Sequence, residues 1–391
     1  MRIVTVLTSL GVGGAEKQAL AVAERMARRG HQVALLVLRP RLAEEWPTAL
    51  PVVHLDIRRI RRYPASVAAG FWRGRRFLRA FRPDVVHSHS FHANLLARVL
   101  GAALPGAAVI STVHNVYEGG WARMAAYRLT DRLSSRTVAV SAAAAERFVR
   151  LKAISRRNSL VRVNGIDTAE FAPDAELRSA ARAAMGVAAR DAGEPFVWLS
   201  AGRVTPAKDF PNLLRAFGLV RKEAPGVELW IAGALPQSKA ANPAEGLARE
   251  LLADAGEAGV PADVRWLGLR RDVPALMDAA DGFVLGSAWE GMPLVVGEAM
   301  AMEKPVVATD VGGVRELVGD EGGIVPPKDP EALAGAMLAA MRQSSQERAQ
   351  RGRAARERIV SRFSIDAAAD WWEALYEELR GTRNKGLGTR D

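Results

Sequence analysis

Two glutamates with seven residues between them, Glu290 and Glu298, stand in the segment Ser287-Ala288-Trp289-Glu290-Gly291-Met292-Pro293-Leu294-Val295-Val296-Gly297-Glu298-Ala299-Met300-Ala301. Proline suits the first position of a helix, where its missing amide hydrogen is no loss. A helix is therefore expected from Pro293. Its first turn, after Met292, leaves the Leu294 and Val295 amides without intrahelical partners and open to an anion or a sugar hydroxyl. Glu298 falls on the second turn of an otherwise apolar helix, where a carboxylate without a partner is costly. In that position it can accept both hydroxyls of a ribose, as acidic residues do in nucleotide-binding folds. Glu290 precedes the helix and suits the hydroxyls of a sugar. The competing reading makes both solvated surface glutamates.

Two cations stand in Ser200-Ala201-Gly202-Arg203-Val204-Thr205-Pro206-Ala207-Lys208-Asp209. Arg203 and Lys208 follow a β-rich run, and paired positive charges there can hold a diphosphate and offset the charge that grows on it as it leaves. Gly11-Val12-Gly13-Gly14-Ala15-Glu16 opens a helix after the first strand, letting backbone amides at Gly13 and Gly14 approach a phosphate. Glu16 occupies the place of the third glycine of a dinucleotide fingerprint, so that motif is incomplete. His114, at a strand end, can hydrogen-bond a sugar hydroxyl or a reacting centre, although a lone histidine is more often structural. His87, His89 and His92 resemble a metal cluster, but across a strand end and a helix start they are expected to diverge. No metal site is expected: no Asp-x-Asp occurs to chelate a diphosphate through a cation, and there is no cysteine.

These residues need strand ends to carry them. β-rich runs at residues 3–8, 32–38, 84–88, 108–113, 137–141 and 160–163 alternate with helical patterns, the signature of a parallel sheet covered by helices. Ala15 to Arg29 has apolar Ala19, Leu20, Ala23 and Met26 on one helical face, with Gly30 after it. A weakly patterned stretch, Asn164 to Glu194, reads as a linker. Strands at 196–201, 228–232, 264–267, 282–285, 305–309 and 323–325 then form a second series. Ile365 to Arg380 reads as a Trp-rich amphipathic helix and Gly381 to Asp391 as a frayed polar tail. The expected fold is α/β, with two doubly wound Rossmann-like domains facing across a cleft at the carboxyl ends of both sheets, where such folds bind ligands.

Length and composition agree. The 391 residues exceed what one core usually supports, and no run approaches the roughly 20 apolar residues of a membrane span. Charge is uneven. Residues 1–190 hold 30 Lys+Arg against 13 Asp+Glu, a net +17, and the remainder 24 against 30, a net −6. Between Asp56 and Arg82, Arg58, Arg59, Arg61, Arg62, Arg73, Arg75, Arg76, Arg79 and Arg82 face one acid, with Phe71, Trp72, Phe77, Leu78 and Phe81 among them. This suits either a basic helix on an anionic lipid surface or a solvated arginine face on a core helix.

Taken together, Gly13-Gly14-Ala15-Glu16-Lys17-Gln18, Val113-His114, Asn164-Gly165-Ile166-Asp167, Gly202-Arg203 with Lys208, the glutamate pair, and Pro305-Val306-Val307-Ala308 with Gly312-Gly313 resemble the retaining glycosyltransferases of family 4, which have the GT-B fold. The resemblance covers nearly the whole chain. It implies an acceptor-side domain over residues 1–170, a donor domain over 171–365, and a C-terminal helix over 366–391 that returns to the first domain. It also implies that Glu298 binds ribose, Glu290 the donor sugar, and Arg203 and Lys208 the diphosphate. Gly14 then approaches the diphosphate from the other domain and His114 lies by the transferred sugar. One departure is Asp209, where many members have glycine.

The implied reaction transfers a hexose or N-acetylhexosamine from a nucleotide diphosphate sugar, UDP being the commonest, to a saccharide or polyprenyl-diphosphate-linked acceptor. Front-side displacement retains the anomeric configuration, with no metal and no other cofactor. A cytoplasmic enzyme, peripheral on the inner membrane face and without nucleic-acid binding, fits these expectations. A nucleotide-sugar 2-epimerase or phosphorylase of the same fold is the nearest rival, and a basic non-catalytic binding protein the rival of another class.

Overall fold

The structure, a computed structural model, describes all residues except 12, 44, 59–61, 105, 188–194, 234–262 and 388–391, and for 382–387 the backbone alone. The chain divides into two compact units, Met1–Gly165 together with the C-terminal helix, and Ile166–Ser364.

The first unit runs β1 (Arg2–Leu7), α1 (Gly14–Arg28), β2 (Gln32–Val37), β3 (Val52–His54), α2 (Pro64–Phe81), β4 (Val85–His89), α3 (Phe91–Gly101), β5 (Ala108–Val113), α4 (Trp121–Thr130), β6 (Arg136–Ala139), α5 (Ala142–Arg150) and β7 (Ser159–Val161). All seven strands are parallel, in the order β3-β2-β1-β4-β5-β6-β7. Alternation along β1 sends Ile3 and Leu7 into one helical layer and Val4 and Val6 into the other, so both faces are covered. The short edge strand β3 was not expected; three residues are too few to show a period.

The C-terminal helix, Ile365–Leu387, belongs to this unit. Ile365, Ala368, Ala369, Trp372, Leu375, Tyr376 and Leu379 recur at three- and four-residue spacing and bury one apolar stripe in the core beside α1. Its exposed edge is tied down by ion pairs from Arg25 to Asp366 at 2.7 Å and from Arg29 to Asp370 and Glu373, each at 2.6 Å. The tail expected from Gly381 is a correction: helix continues to Leu387, and 388–391 lie outside the described residues.

The second unit contains α6 (Ala175–Ala184), β8 (Val197–Ala201), α7 (Phe210–Glu223), β9 (Glu228–Ala232), β10 (Val264–Gly268), α8 (Val273–Ala279), β11 (Gly282–Leu285), α9 (Leu294–Ala301), β12 (Val306–Thr309), α10 (Val314–Val318), β13 (Gly323–Val325), α11 (Pro330–Arg342) and α12 (Ser345–Arg362). Its six parallel strands lie in the order β10-β9-β8-β11-β12-β13. The stretch read as a linker holds α6, while its end, 188–194 with Gly193, lies outside the described residues. Helix α6 shows no apolar stripe because its anchors are polar. Asp174 caps it by accepting from the Glu176 and Leu177 amides at 2.9 and 3.0 Å, and Arg178 pairs with Asp281 at 2.6 Å.

Strand order reverses between β1 and β4 in the first sheet and between β8 and β11 in the second. Loops leaving the carboxyl ends of such neighbours diverge and leave a crevice in each unit. The residues singled out for chemistry sit on these four strands or on the segments that follow them, except His114, which follows β5, the neighbour of β4.

Candidate active site

In the second unit the crevice is built by the loops after β8 and β11. Ala288 donates its amide to Ala207 O at 2.8 Å, which joins the two loops. Lys208 Nζ then reaches Glu290 Oε1 at 2.7 Å, and Ser287 Oγ donates to the same oxygen at 2.8 Å. Thr309, ending β12, donates to Ser287 O at 2.6 Å and steadies the turn from behind. Both partners of the ion pair are mostly buried, Lys208 at 17% and Glu290 at 12% side-chain exposure. Glu290 Oε2 has no partner among the described residues and remains available to a hydroxyl.

Three glycines permit this geometry. Gly202 has φ +152°, and a Cβ there would come within 2.7 Å of Lys208 Cε; a Cβ at Gly233 would run into Gly202 O. Gly312, in the left-handed region at φ +57°, lets its backbone lie against the carbonyls of Glu290 and Gly291, and Gly313 N donates to Gly291 O at 2.7 Å. The departure at position 209 also has an account. Asp209 adopts φ +43°, ψ 52°, a conformation that aspartate tolerates, and its carboxylate caps α7 by accepting from Asn212 N.

Pro293 is the residue before α9, not its first turn; its ψ of 108° is extended and the helix starts at Leu294. The correction is one residue. Leu294 and Val295 still stand in the first turn, where amides lack intrahelical acceptors. Met292, Leu294 and Glu298 are buried, Glu298 at 5%. Arg203 is exposed and has no ion-pair or hydrogen-bond partner among the described residues. The structure thus brings Lys208 and Glu290 into contact and sets Arg203 on the Lys208 loop.

In the first unit Gly13 precedes α1 in extended backbone and Gly14 begins the helix; Val12 lies outside the described residues. A Cβ at Gly13 would collide with the Glu16 carboxylate, which sits at the positive end of the helix. His114 follows β5, beside the strand reversal. Its amide donates to Glu118 Oε1 at 3.1 Å and its Nε2 lies 3.0 Å from His89 Nδ1. Tyr127 OH donates to Glu118 Oε2 at 2.6 Å, and Asn94 Nδ2 donates to Tyr127 OH at 3.0 Å.

His87 and His89 do not diverge. Period two puts them on one face of β4, with ring centroids 4.1 Å apart, whereas His92 is exposed on α3. His87 is fixed by Tyr376 OH at 2.6 Å and Thr112 Oγ1 at 2.8 Å. Burial lowers the His87 pKa to about 3 and that of His114 to about 4, and takes His89 well below the ordinary value. Among the described residues no group of three metal-ligating side chains is assembled.

The arginine-rich region is a packed helix. Leu78 is fully buried in α2, and Phe71, Phe77 and Phe81 pack against the sheet. Of the five apolar residues among the arginines, Trp72 alone is exposed, at 63%. Arg62, Arg76, Arg79 and Arg82 are exposed, and Arg59 and Arg61 lie outside the described residues.

The family model described as Glycosyltransferase Family 4 matches residues 12–170, and that described as Glycosyl transferases group 1 matches residues 195–343. The chain belongs to the family 4 glycosyltransferases. It is similar to a glycogen synthase of Mycobacterium tuberculosis, 29% identical over 76% of this chain and 69% of that protein. A UDP-Gal:alpha-D-GlcNAc-diphosphoundecaprenol alpha-1,3-galactosyltransferase of Escherichia coli is 24% identical over 78% of each chain. The structure of Anabaena Alr3699/HepE in complex with UDP and glucose shares the fold, with a TM-score of 0.79 over 97% of this chain and all of that one, at 20% identity. The family 4 chain is therefore a glycosyltransferase acting with a nucleotide-sugar donor.

Sequence reasoning missed Ser287, Thr309, His89 and Glu118. Ser287 and His89 lay inside segments already singled out, and their neighbourhood was the available signal. Thr309 and Glu118 are brought in by tertiary contacts with no sequence mark.

Proposed function

We propose that this family 4 glycosyltransferase takes a hexose or N-acetylhexosamine from a UDP-sugar without a metal ion and retains its anomeric configuration. The observation that carries this is the Lys208–Glu290 pair at the strand reversal of the second sheet. Lys208 and Arg203 supply two positive charges for a diphosphate, doing the work a divalent cation would otherwise do. Glu290 Oε2 takes a hydroxyl of the sugar, the first turn of α9 receives a phosphate or hydroxyl oxygen, and Glu298 takes the ribose. In the first unit the Gly13–Gly14 turn suits a phosphate oxygen and His114 a hydroxyl of the transferred sugar.

With Glu290 Oε1 engaged by Lys208 and Ser287, this carboxylate is a poor covalent nucleophile, which favours front-side displacement. The bond from the anomeric carbon to the diphosphate oxygen breaks, its electron pair leaving on that oxygen. The acceptor oxygen bonds the same carbon on the same face, and its proton passes to the leaving phosphate. For the acceptor, a saccharide or a polyprenyl-diphosphate-linked saccharide is proposed; the Escherichia coli relative is named for a diphosphoundecaprenol-linked one. No described helix is long and apolar enough to cross a membrane. A cytoplasmic enzyme drawn to an anionic inner membrane face through exposed Arg62, Arg76, Arg79 and Arg82 completes the reading, by charge attraction and not by insertion of α2.

The test is a thermal-shift screen of UDP, GDP and ADP with EDTA present, since specific binding raises apparent stability by mass action. A shift with UDP that the chelator leaves intact is expected. No shift with any nucleotide would sink the donor site, and an inverted product anomer by NMR would sink retention.

A further inference from the structure

His89 and His114 share one hydrogen bond, Nδ1 to Nε2 at 3.0 Å. A neutral imidazole carries a single N–H, so one ring donates and the other accepts. The two assignments differ in what they leave behind. If His114 Nε2–H donates, the proton of His89 must sit on its Nε2, and that atom is buried with no partner. A buried N–H without an acceptor is the rarer and costlier defect. If His89 Nδ1–H donates, its Nε2 keeps only a bare lone pair, and the His114 proton moves to Nδ1. His114 Nδ1 has no partner among the described residues and is not among the buried polar atoms, so it is open to a ligand.

His89 has no freedom to turn away from this role. It is 3% exposed, its ring lies on His87, and His87 is held by Tyr376 and Thr112 and covered by Trp372 at 4.3 Å. The other groups around His114 leave the choice unchanged. Glu118 is spent on the His114 backbone amide and the Tyr127 hydroxyl, and His87 uses both its nitrogens elsewhere.

We propose that His89 is a positioning residue that fixes His114 as the Nδ1–H tautomer, so that His114 meets the transferred sugar as a hydrogen-bond donor and does not abstract a proton. This deepens the proposed function and rests on its placement of His114 beside that sugar. A donor N–H suits a hydroxyl or phosphate oxygen; the acceptor's proton must go elsewhere, in agreement with transfer to the leaving phosphate.

The tautomer is read directly by long-range 1H–15N NMR of the whole chain labelled on histidine at pH 7.5. His114→Gln assigns the His114 signals. The wild type is expected to show His114 protonated on Nδ1 with a preference of roughly ten-fold or more. His89→Leu removes the donor and should release that preference, and His89→Gln, whose amide can donate, should restore it. A wild-type His114 protonated on Nε2, or nitrogen signals averaged between the tautomers, overturns the proposal, as does an unchanged tautomer in His89→Leu. If His89→Leu fails to fold, the wild-type spectrum still decides. No nucleotide enters this measurement, so a silent donor screen and a wrong tautomer are separate failures.

Discussion

Lys208 and Glu290 meet at 2.7 Å across the loops that leave β8 and β11, the two strands between which the order of the second sheet reverses. Neighbouring strands in parallel register deliver the loops side by side, and Ser287 orients the carboxylate by holding its other lone pair. In the proposed function the pair is a preformed half of the donor site.

Removing Lys208 therefore does two things at once: it deletes the cation proposed for the diphosphate and leaves a mostly buried carboxylate without its charge partner. Lys208→Met is expected to lower kcat/KM by about 10- to 100-fold, the equivalent of a lost charge-assisted hydrogen bond. Glu290→Gln keeps the Ser287 contact and should cost less. In the double variant the losses should fall short of additivity, with a coupling of about 0.5–3 kcal/mol. Strict additivity in the kinetic cycle would show that the two act separately.

Gly202→Ala tests the same pair from its backbone. At φ +152° an alanine is strained, and its Cβ would press on Lys208 Cε, 2.7 Å away. Urea unfolding should show a loss of about 1–2 kcal/mol, typical of an L side chain forced into positive φ. Because the clash also pushes the ammonium off Glu290, activity should fall toward that of Lys208→Met. Full activity in a destabilised variant would separate the strain from the site.

Glu298 is buried in an eight-residue helix otherwise made of apolar and small residues. As the proposed ribose ligand, Glu298→Ala is expected to weaken UDP binding by about 1.5–3 kcal/mol, a charged hydrogen bond's worth. Calorimetry measures it, and an unaltered affinity would remove Glu298 from the donor site. Glu298→Gln, keeping one acceptor oxygen, should lie between.

Much of this was legible in the residues because strand ends announce themselves. Buried parallel strands are apolar runs, and the glycines, cations and acids that follow them mark the crevice loops. The Ala108–Val113 strand and the Glu290–Glu298 spacing were read at their observed positions for that reason. What stayed hidden was set by long-range contact. Helix α6 is anchored by Arg178, Arg182 and Asp174, so no apolar period betrayed it. The partnership of His89 with His114 depends on β4 and β5 lying adjacent, and the grip of Tyr376 on His87 spans 289 residues. Pro293 was displaced by one because a proline fits the residue before a helix as readily as its first turn.

The titration of the first unit follows from what is buried there. His87, His89 and His114 are held neutral, chiefly by burial, with pKa values of about 3 for His87 and about 4 for His114 against 6.5 for an ordinary histidine. The folded state binds fewer protons than the unfolded chain, so the histidine contribution is intact above pH 6.5 and is lost as pH falls toward 4. Glu118 works in the opposite sense. Burial raises its pKa to about 6 from 4.5, against the hydrogen bonds from Tyr127 and the His114 amide and the charges of Arg123 and Arg98. A raised carboxyl favours the folded state while it is protonated, and that benefit, about 2 kcal/mol, disappears as pH rises from 4.5 through 6. In Glu118→Gln the benefit has no titration. The stability of the variant relative to wild type should thus increase by about 2 kcal/mol between pH 4.5 and 7, while both proteins keep the acid loss due to the histidines. Urea unfolding across that range measures the difference, and a flat difference would mean that Glu118 ionises in the fold as it does in the unfolded chain.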